Sequence, residues 1–490
     1  MRLKDYVKLG KNDNVVVLTK DAIEGSSLNL ENREILLKEN IKAGHKVAIR
    51  PIKKGTYVIK YDHRVGKATR DINPGEWVHT HNVKTTLSEE QEYRWNPRNV
   101  TLNVSVPRRS FFGYRRESGR VGIRNDLWII PTVGCINRAL LALVKRYNKK
   151  PWIDEVKILT HPFGCSQLGE DLEMAVSVLT GLARNPNAAG VVFVGLGCEN
   201  LQIDVVKERT RDLKNVRYMV MQKSVDDFKM LSDYLDELSE STARRREKCD
   251  VSDLIIGVKC GGSDAFSGVT ANPLVGKLSD YVVYHGGAVL VSEIPEMFGA
   301  EDVLISRITN REVFNEFIRM IEWFKNYYLS YGQPIYENPS PGNKEGGIST
   351  LEEKSLGAIE KAGNGPVNDV LWYGQAVKSK GVSIVFGPGN DLVSSTSLVS
   401  SGAQLILFTT GRGTPFGTVV PTIKISSNSG LVNKKNSWID FDASKVLDVG
   451  WETVTEELID FVLNVASGRR TKNEINGIHE IAIFKNGVIL

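Results

Sequence analysis

The chain has 490 residues, 41% apolar and 25% charged, with a formal net charge of +5. That length is too great for one hydrophobic core and predicts about three domains, while the composition excludes a disordered chain. No dense Lys/Arg stripe with interleaved aromatics occurs, so no nucleic acid partner is expected, and the mild positive charge suits a small anionic ligand. No apolar run reaches the ~18–20 residues of a membrane span. Met1-Arg2-Leu3-Lys4-Asp5 also lacks the apolar core of a secretory signal. A cytoplasmic protein without a membrane partner is expected, its five cysteines being thiols or ligands rather than disulfides.

Residues 1–88 read as a small all-β domain. Short apolar runs at 15–18 and 57–60 are split by the turns Ala43-Gly44-His45, Lys54-Gly55 and Pro74-Gly75-Glu76, the rhythm of a small barrel or clip. Near its end, His79-Thr80-His81 is read as strand. Alternate residues of a strand share a face, so the two imidazoles would form a metal pair, with His45 able to join them. Residues 89–112 are polar, contain Pro97 and Pro107, and are expected to be a linker.

Beyond the linker the pattern is α/β. Apolar strands at 127–130, 156–160, 191–194, 254–258, 288–291, 383–386 and 405–408 alternate with helical stretches, among them 137–148, 169–183 and 200–213. Continuous apolar strands between helices predict mostly parallel sheets covered on both faces. The charged segment 239–250 divides the region into two lobes, 113–245 and 246–490.

In a parallel sheet all carboxyl ends share one edge, and ligands bind there. Just past the strands stand Gly134-Cys135-Ile136-Asn137, Gly164-Cys165-Ser166-Gln167, Gly197-Cys198-Glu199-Asn200 and Lys259-Cys260-Gly261-Gly262-Ser263-Asp264. Four cysteines are therefore expected to gather on one edge; Cys249 stands apart. They are small fillers of tight turns, soft-metal or iron–sulfur ligands, or reactive thiols. Later turns, Gly387-Pro388-Gly389-Asn390-Asp391 and Thr409-Thr410-Gly411-Arg412-Gly413-Thr414-Pro415, offer backbone N–H groups and a guanidinium to an anion. The polar, proline-braced stretch from Asn338 through Asn343 and Lys344 has the make-up of a ligand loop. No P-loop or dinucleotide fingerprint is present, so no nucleotide is expected.

Together these strings resemble the altronate and galactarate dehydratase family over most of the chain. The resemblance runs from Gly75-Glu76-Trp77-Val78-His79-Thr80-His81-Asn82 through Gly119-Arg120-Val121-Gly122-Ile123-Arg124-Asn125 and the three Gly-Cys strings. It continues through Gly261-Gly262-Ser263-Asp264-Ala265-Phe266, Glu293-Ile294-Pro295-Glu296, Asn338-Pro339-Ser340-Pro341-Gly342-Asn343-Lys344 and Gly411-Arg412-Gly413. It implies a small SAF-type β-clip domain ahead of the α/β lobes. It also implies dehydration of a sugar acid, an aldonate such as altronate, to a 2-keto-3-deoxy acid through an enediolate. Ala358 departs from the pattern, which leads to a cysteine there.

The implied cofactor is a divalent metal, Fe2+ first and Mn2+ or Mg2+ otherwise, with an iron–sulfur cluster on Cys135, Cys165 and Cys198 as a rival. His79 and His81 are the expected metal ligands, supplemented by Cys165, Cys198 and Cys135. His161, Glu199 and Glu296 are the expected acid–base groups, and Lys344 and Arg412 the clamps on carboxylate or enediolate. Asn200, Ser263, Asp264, Asn343, Asn390, Asp391 and Thr414 are expected to bind substrate. Alternatives are a galactarate or other aldarate dehydratase, a carbon–sulfur lyase on sulfolactate, and a non-catalytic sugar-acid-binding protein. A homodimer is expected only because twofold symmetry is the commonest assembly.

Overall fold

The computed structural model describes residues 5–30, 33–87 and 92–489. Short apolar runs between turns build the N-terminal β domain. Tyr6–Val7, Val15–Leu18, Lys46–Ala48 and Trp77–Val78 form an antiparallel sheet; Tyr57–Lys60, His63–Ala68 and Val83–Lys84 form a second; Ser27–Leu30 pairs with Arg33–Leu36. The strand expected to carry the two histidines stops at Val78. His79 to Asn82 is instead a turn, in which the Asn82 side chain accepts from the His79 N–H at 2.9 Å. The turn breaks the two-residue alternation: His79 is buried and His81 exposed, so the imidazoles do not share a face.

The first lobe is built on four parallel strands: β1 (Asp126–Pro131), β2 (Val156–Ile158), β3 (Ala188–Gly195) and β4 (Val216–Val220), in the spatial order β2-β1-β3-β4. The helices between and after them are α1 (Asn137–Val144), α2 (Gly169–Ala183), α3 (Ile203–Arg209) and α4 (Asp227–Ser241). Every residue of β1 is buried, because its alternate side chains feed two cores. Leu127 and Ile129 share one with Leu140 of α1 and Leu235 of α4, while Trp128 and Ile130 share the other with Val176 and Leu179 of α2. That two-sided burial is why the strand reads as a continuous apolar run.

The second lobe has seven parallel strands: β5 (Ile255–Cys260), β6 (Ala288–Val291), β7 (Val367–Leu371), β8 (Gly381–Val385), β9 (Leu405–Thr410), β10 (Thr422–Ser426) and β11 (Phe441–Asp442). Their spatial order is β7-β8-β6-β5-β9-β10-β11. Flanking helices include α5 (Asn272–Tyr284), α6 (Arg311–Ser330), the short α7 (Pro341–Glu345), α8 (Leu351–Ile359), α9 (Asp391–Ser400) and α10 (Trp451–Ala466). A three-stranded sheet joins the lobes, with Ser110–Arg115 between Val121–Gly122 and Glu247–Asp250. Two sheets mean two carboxyl edges. The four strand-end cysteines are accordingly not on one edge: three lie on the first lobe, and Cys260 is buried in the second.

Helices α2 and α9 lie side by side, Asn185 donating to the carbonyls of Val399 and Ala403 at 2.9 Å each. Near their N-terminal ends the chain terminus bridges the lobes: Asp171 of α2 accepts the N–H groups of Asn486 and Gly487 at 2.7 Å, and Thr396 of α9 accepts that of Ala482. Both carboxyl edges thus open toward the same side. No helix among the described residues is long and apolar enough to cross a membrane.

Candidate active site

In the second sheet a crevice opens beyond the carboxyl ends of the neighbouring strands β5, β6 and β8. The crevice is a cleft of about 680 Å3, lined by Cys260, Ser263, Glu296, Asn338, Asn343 and Lys354, with Asn390, Asp391 and Lys485 nearby on its wall. Strand β5 ends in Lys259 and Cys260, and the turn after β6 delivers Glu293 and Glu296. Glu293 holds a left-handed backbone (φ 74°), a conformation costly for a residue with a Cβ and often found where a site demands it.

These side chains form one buried cluster. Lys259 pairs with Glu293 and, at 2.8 Å, with Asp391; Lys361 lies 3.1 Å from Glu293 and donates to the Cys260 sulfur at 3.3 Å. Lys354 of α8 bonds Glu296 at 2.8 Å and Asn338 at 2.9 Å. Three ammoniums therefore face three carboxylates. Burial opposes charge on Lys259 and Lys361, but Glu293, Asp391 and Glu296 around Lys259, and Cys260 with Glu293 and Glu296 around Lys361, outweigh it and hold both above the usual lysine range. Burial also opposes ionisation of Glu296, yet Lys354, Lys259 and Lys361 hold it down to about 2. Burial, reinforced by Glu293, pushes the Cys260 thiol up to about 12.

Among the described residues, Cys260, Glu293 and Glu296 are the group of three His, Cys, Asp or Glu donors lying within 4.8 Å of one another. One sulfur and two carboxylates are compatible with a divalent metal. None of the five expected ligands belongs to this group. His79 packs against His45 (5.2 Å between ring centroids) and Trp77, and His81 lies on Trp77 at 4.9 Å. His79 has a buried Nδ1 with no hydrogen bond, and burial, with Lys46 nearby, lowers its pKa to about 4.

Of the other expected residues, Glu296, Ser263, Asn343, Asn390 and Asp391 line the cleft. Asn343 already spends its amide on Ser263 O at 2.7 Å and on Ser340, and Asn390 caps α9. Arg412 lies outside the lining and ties down α7, donating to Gly342 O at 3.0 Å and pairing with Glu345 at 3.1 Å. Lys344 and Thr414 are likewise outside it. Asp264 is engaged by Ser267, Ser427 and Asn428, and burial raises its pKa.

His161, Glu199 and Asn200 sit on the first lobe's edge and brace its turns. His161 holds Pro131 O at 2.7 Å through Nε2 and accepts from Phe163 N at 3.2 Å through Nδ1; burial lowers its pKa to about 4, so it is neutral. Glu199 gathers Thr132 Oγ1 at 2.7 Å and the N–H groups of Leu196 and Gly197. Asn200 accepts from Ser166 N at 2.7 Å.

Family models match three consecutive stretches. Residues 4–86 fit the altronate/galactarate dehydratase SAF domain, 113–244 the second domain of D-galactarate dehydratase/altronate hydrolase, and 251–489 the C-terminal D-galactarate/altronate dehydratase domain. The chain is 46% identical to an altronate dehydratase of Bacillus subtilis (strain 168) over 497 residues, covering 100% of both. It is 42% identical to an altronate dehydratase of Escherichia coli (strain K12), over 99% of this chain and 100% of that one. The chain belongs to the altronate/galactarate dehydratase family. It is a hydro-lyase. Galactarate dehydratase (L-threo-forming) of Escherichia coli (strain K12) is also similar, at 34% identity over 98% of this chain and 96% of its own.

Within the family pattern, Ala358 lies on α8 one turn beyond Lys354. It borders a small cavity of about 10 Å3 shared with Lys60, Asp264 and Glu353. Lys259, Glu293, Lys354 and Lys361 were missing from the expected site, and Cys260 was expected only as one of four strand-end cysteines. Their signal was there: a lysine at the end of an otherwise apolar strand, and two glutamates three residues apart just after the next strand. Charge at such buried places needs a partner.

Proposed function

We propose that the protein dehydrates an aldonate, D-altronate, to its 2-keto-3-deoxy acid with the help of a divalent cation, Fe2+ in the first instance. The observation carrying this reading is the cleft itself: a floor of Lys354, Glu296 and Cys260 under walls of asparagine and aspartate, at the carboxyl ends of the parallel strands of a family dehydratase. Removing the hydrogen α to a carboxylate creates an enediolate, which needs preorganised positive charge beside it. Cys260, Glu293 and Glu296 would hold the cation. When bound, it would supply Lewis acidity toward the substrate's carboxylate and 2-hydroxyl.

The chain's own groups do the rest. Lys354 stands at the cleft floor as an ammonium 2.8 Å from Glu296. The Glu296 carboxylate takes the C2 hydrogen as a proton, Lys354 protonates the departing C3 hydroxyl, and the proton then passes from Glu296 back to Lys354. Asn338, Asn390 and Asp391 orient the sugar hydroxyls. Lys485 and, from the rim, Arg412 attract the anion.

The test is turnover by anaerobically purified protein against a panel of aldonates and aldarates, with Fe2+, Mn2+ or chelator, assaying 2-keto-3-deoxy product. Metal-dependent turnover of altronate is expected. Turnover confined to galactarate, or undiminished by exhaustive chelation, would reject the substrate or the cation respectively.

A further inference from the structure

We propose that Cys135, Cys165 and Cys198 together hold an iron–sulfur cluster on the first lobe's carboxyl edge, ligated by three thiolates and with one iron open to an oxygen donor. Nothing in the cleft uses these thiols. They leave three neighbouring parallel strands, β1, β2 and β3, and the strand order reverses between β1 and β3, where parallel sheets bind ligands. All three are exposed, whereas Cys249 and Cys260 are buried.

The three loops are locked to one another through the residues beside the thiols. Gly134 donates to Phe163 O at 2.8 Å, and Asn200 N donates to Gly164 O at 3.0 Å. Gly164 has φ +106°, and a Cβ there would fall 1.8 Å from Thr132 O, so the Cys165 loop rests directly on the backbone leading to Cys135. The amide two residues after each thiol completes the lacing: Asn137 donates to His161 O, Gln167 accepts from Gly164 N, and Asn200 accepts from Ser166 N. Ser166, next to Cys165, is held left-handed at φ 58°, a strain that persists only where its surroundings impose it. The backbone is thus fixed with tight, costly contacts, and what it presents outward is three sulfurs.

Those sulfurs have only weak partners. Cys198 accepts from Gln222 Nε2 at 3.8 Å, and Cys165 lies 3.7 Å from Ser166 Oγ. A single four-coordinate ion, with metal–sulfur bonds near 2.3 Å, would draw its thiolates to within roughly 4 Å of one another. The three thiols stand farther apart than that, not all lying within 4.8 Å of one another. Several iron atoms between the ligands span a wider triangle, and thiolate is their preferred ligand. The edge also neighbours the cleft: α2 begins just after the Cys165 loop, and its Asp171 lies 3.3 Å from Lys485, which lines the cleft.

The proposal does not rest on the substrate assigned above, because it is read by metal, sulfide and colour rather than by turnover. The full chain is purified without oxygen, or reconstituted with Fe2+ and sulfide. Iron and acid-labile sulfide are then measured beside the visible spectrum before and after dithionite. Expected is a brown protein with iron and sulfide in near-equal amounts and absorption that dithionite bleaches. Cys135→Ala, Cys165→Ala and Cys198→Ala should each lose most of the sulfide and colour, with melting temperatures of the metal-free proteins unchanged, while Cys249→Ala retains both. A colourless protein without sulfide after reconstitution would overturn the proposal. So would one zinc or iron bound without sulfide, or a full cluster surviving any of the three substitutions.

Discussion

Lys354 joins cleft and core, so its substitution has two separable effects. Lys354→Met should lower kcat by roughly 10²–10⁴-fold, the usual contribution of a proton-transfer group. It also strands the buried Glu296 carboxylate, at a cost of about 3–5 kcal/mol measured by denaturant unfolding. The double variant Lys354→Met/Glu296→Met should regain most of that stability and none of the activity, since removing both partners of a buried pair is nearly neutral. His161 acts at the same scale through pH. Its folded value of about 4 lies below the unfolded 6.5, so the unfolded chain binds the proton first. The stabilisation is complete above pH 6.5 and is lost as pH falls toward 4, by at most about 3 kcal/mol. Melting temperatures at pH 7.5 and 5 should therefore differ less in His161→Asn than in the unaltered protein.

At the scale of elements, the tight turns after β1 and β2 are set by close backbone contact at Gly134 and Gly164, besides the side chains that brace them. Gly164→Ala places a methyl group against Thr132 O at a positive φ, and is expected to destabilise by about 2–4 kcal/mol, read as a lowered melting temperature. Cleft and thiol edge differ in this respect. The cleft's shape depends on α7 and α8, which hold Asn343 and Lys354, and the β domain packs on the same segment. The Lys46 ammonium reaches Gly347 O at 2.9 Å there.

For the whole molecule, one buried carboxylate ties the β domain to the second lobe. Glu353 of α8 receives Lys46 and Lys60 at 2.8 Å each, and together they keep it ionised far below the usual carboxylate range despite its burial. Glu353→Ala leaves two ammoniums buried without a counter-charge, for a cost of about 3–5 kcal/mol. Limited proteolysis should then release the β domain by cuts between residues 92 and 109 faster than in the unaltered protein. Because α8 carries both Glu353 and Lys354, loosening that contact should also raise KM for the substrate.

The sequence alone determined a small β domain ahead of an α/β region with parallel sheets, and the family, because periodicity and strings of turn residues are local in the chain. Residue 169 to 183 reads as helix and is one, since its apolar spacing and its acidic first turn agree. Only the tertiary structure decided which strand ends meet. The cysteine turns divide between two sheets: the three of the form Gly-Cys-X-Asn/Gln follow β1, β2 and β3, while Cys260, preceded by Lys259 and followed by two glycines, ends β5 of the seven-stranded sheet. The two histidines parted for a related reason: an Asn82 side chain three residues on turned the backbone and ended the alternation. The Lys–Glu–Cys cluster was hidden because its partners are far apart in sequence, from Lys259 to Asp391, and each charge is intelligible only once burial has removed water from around it.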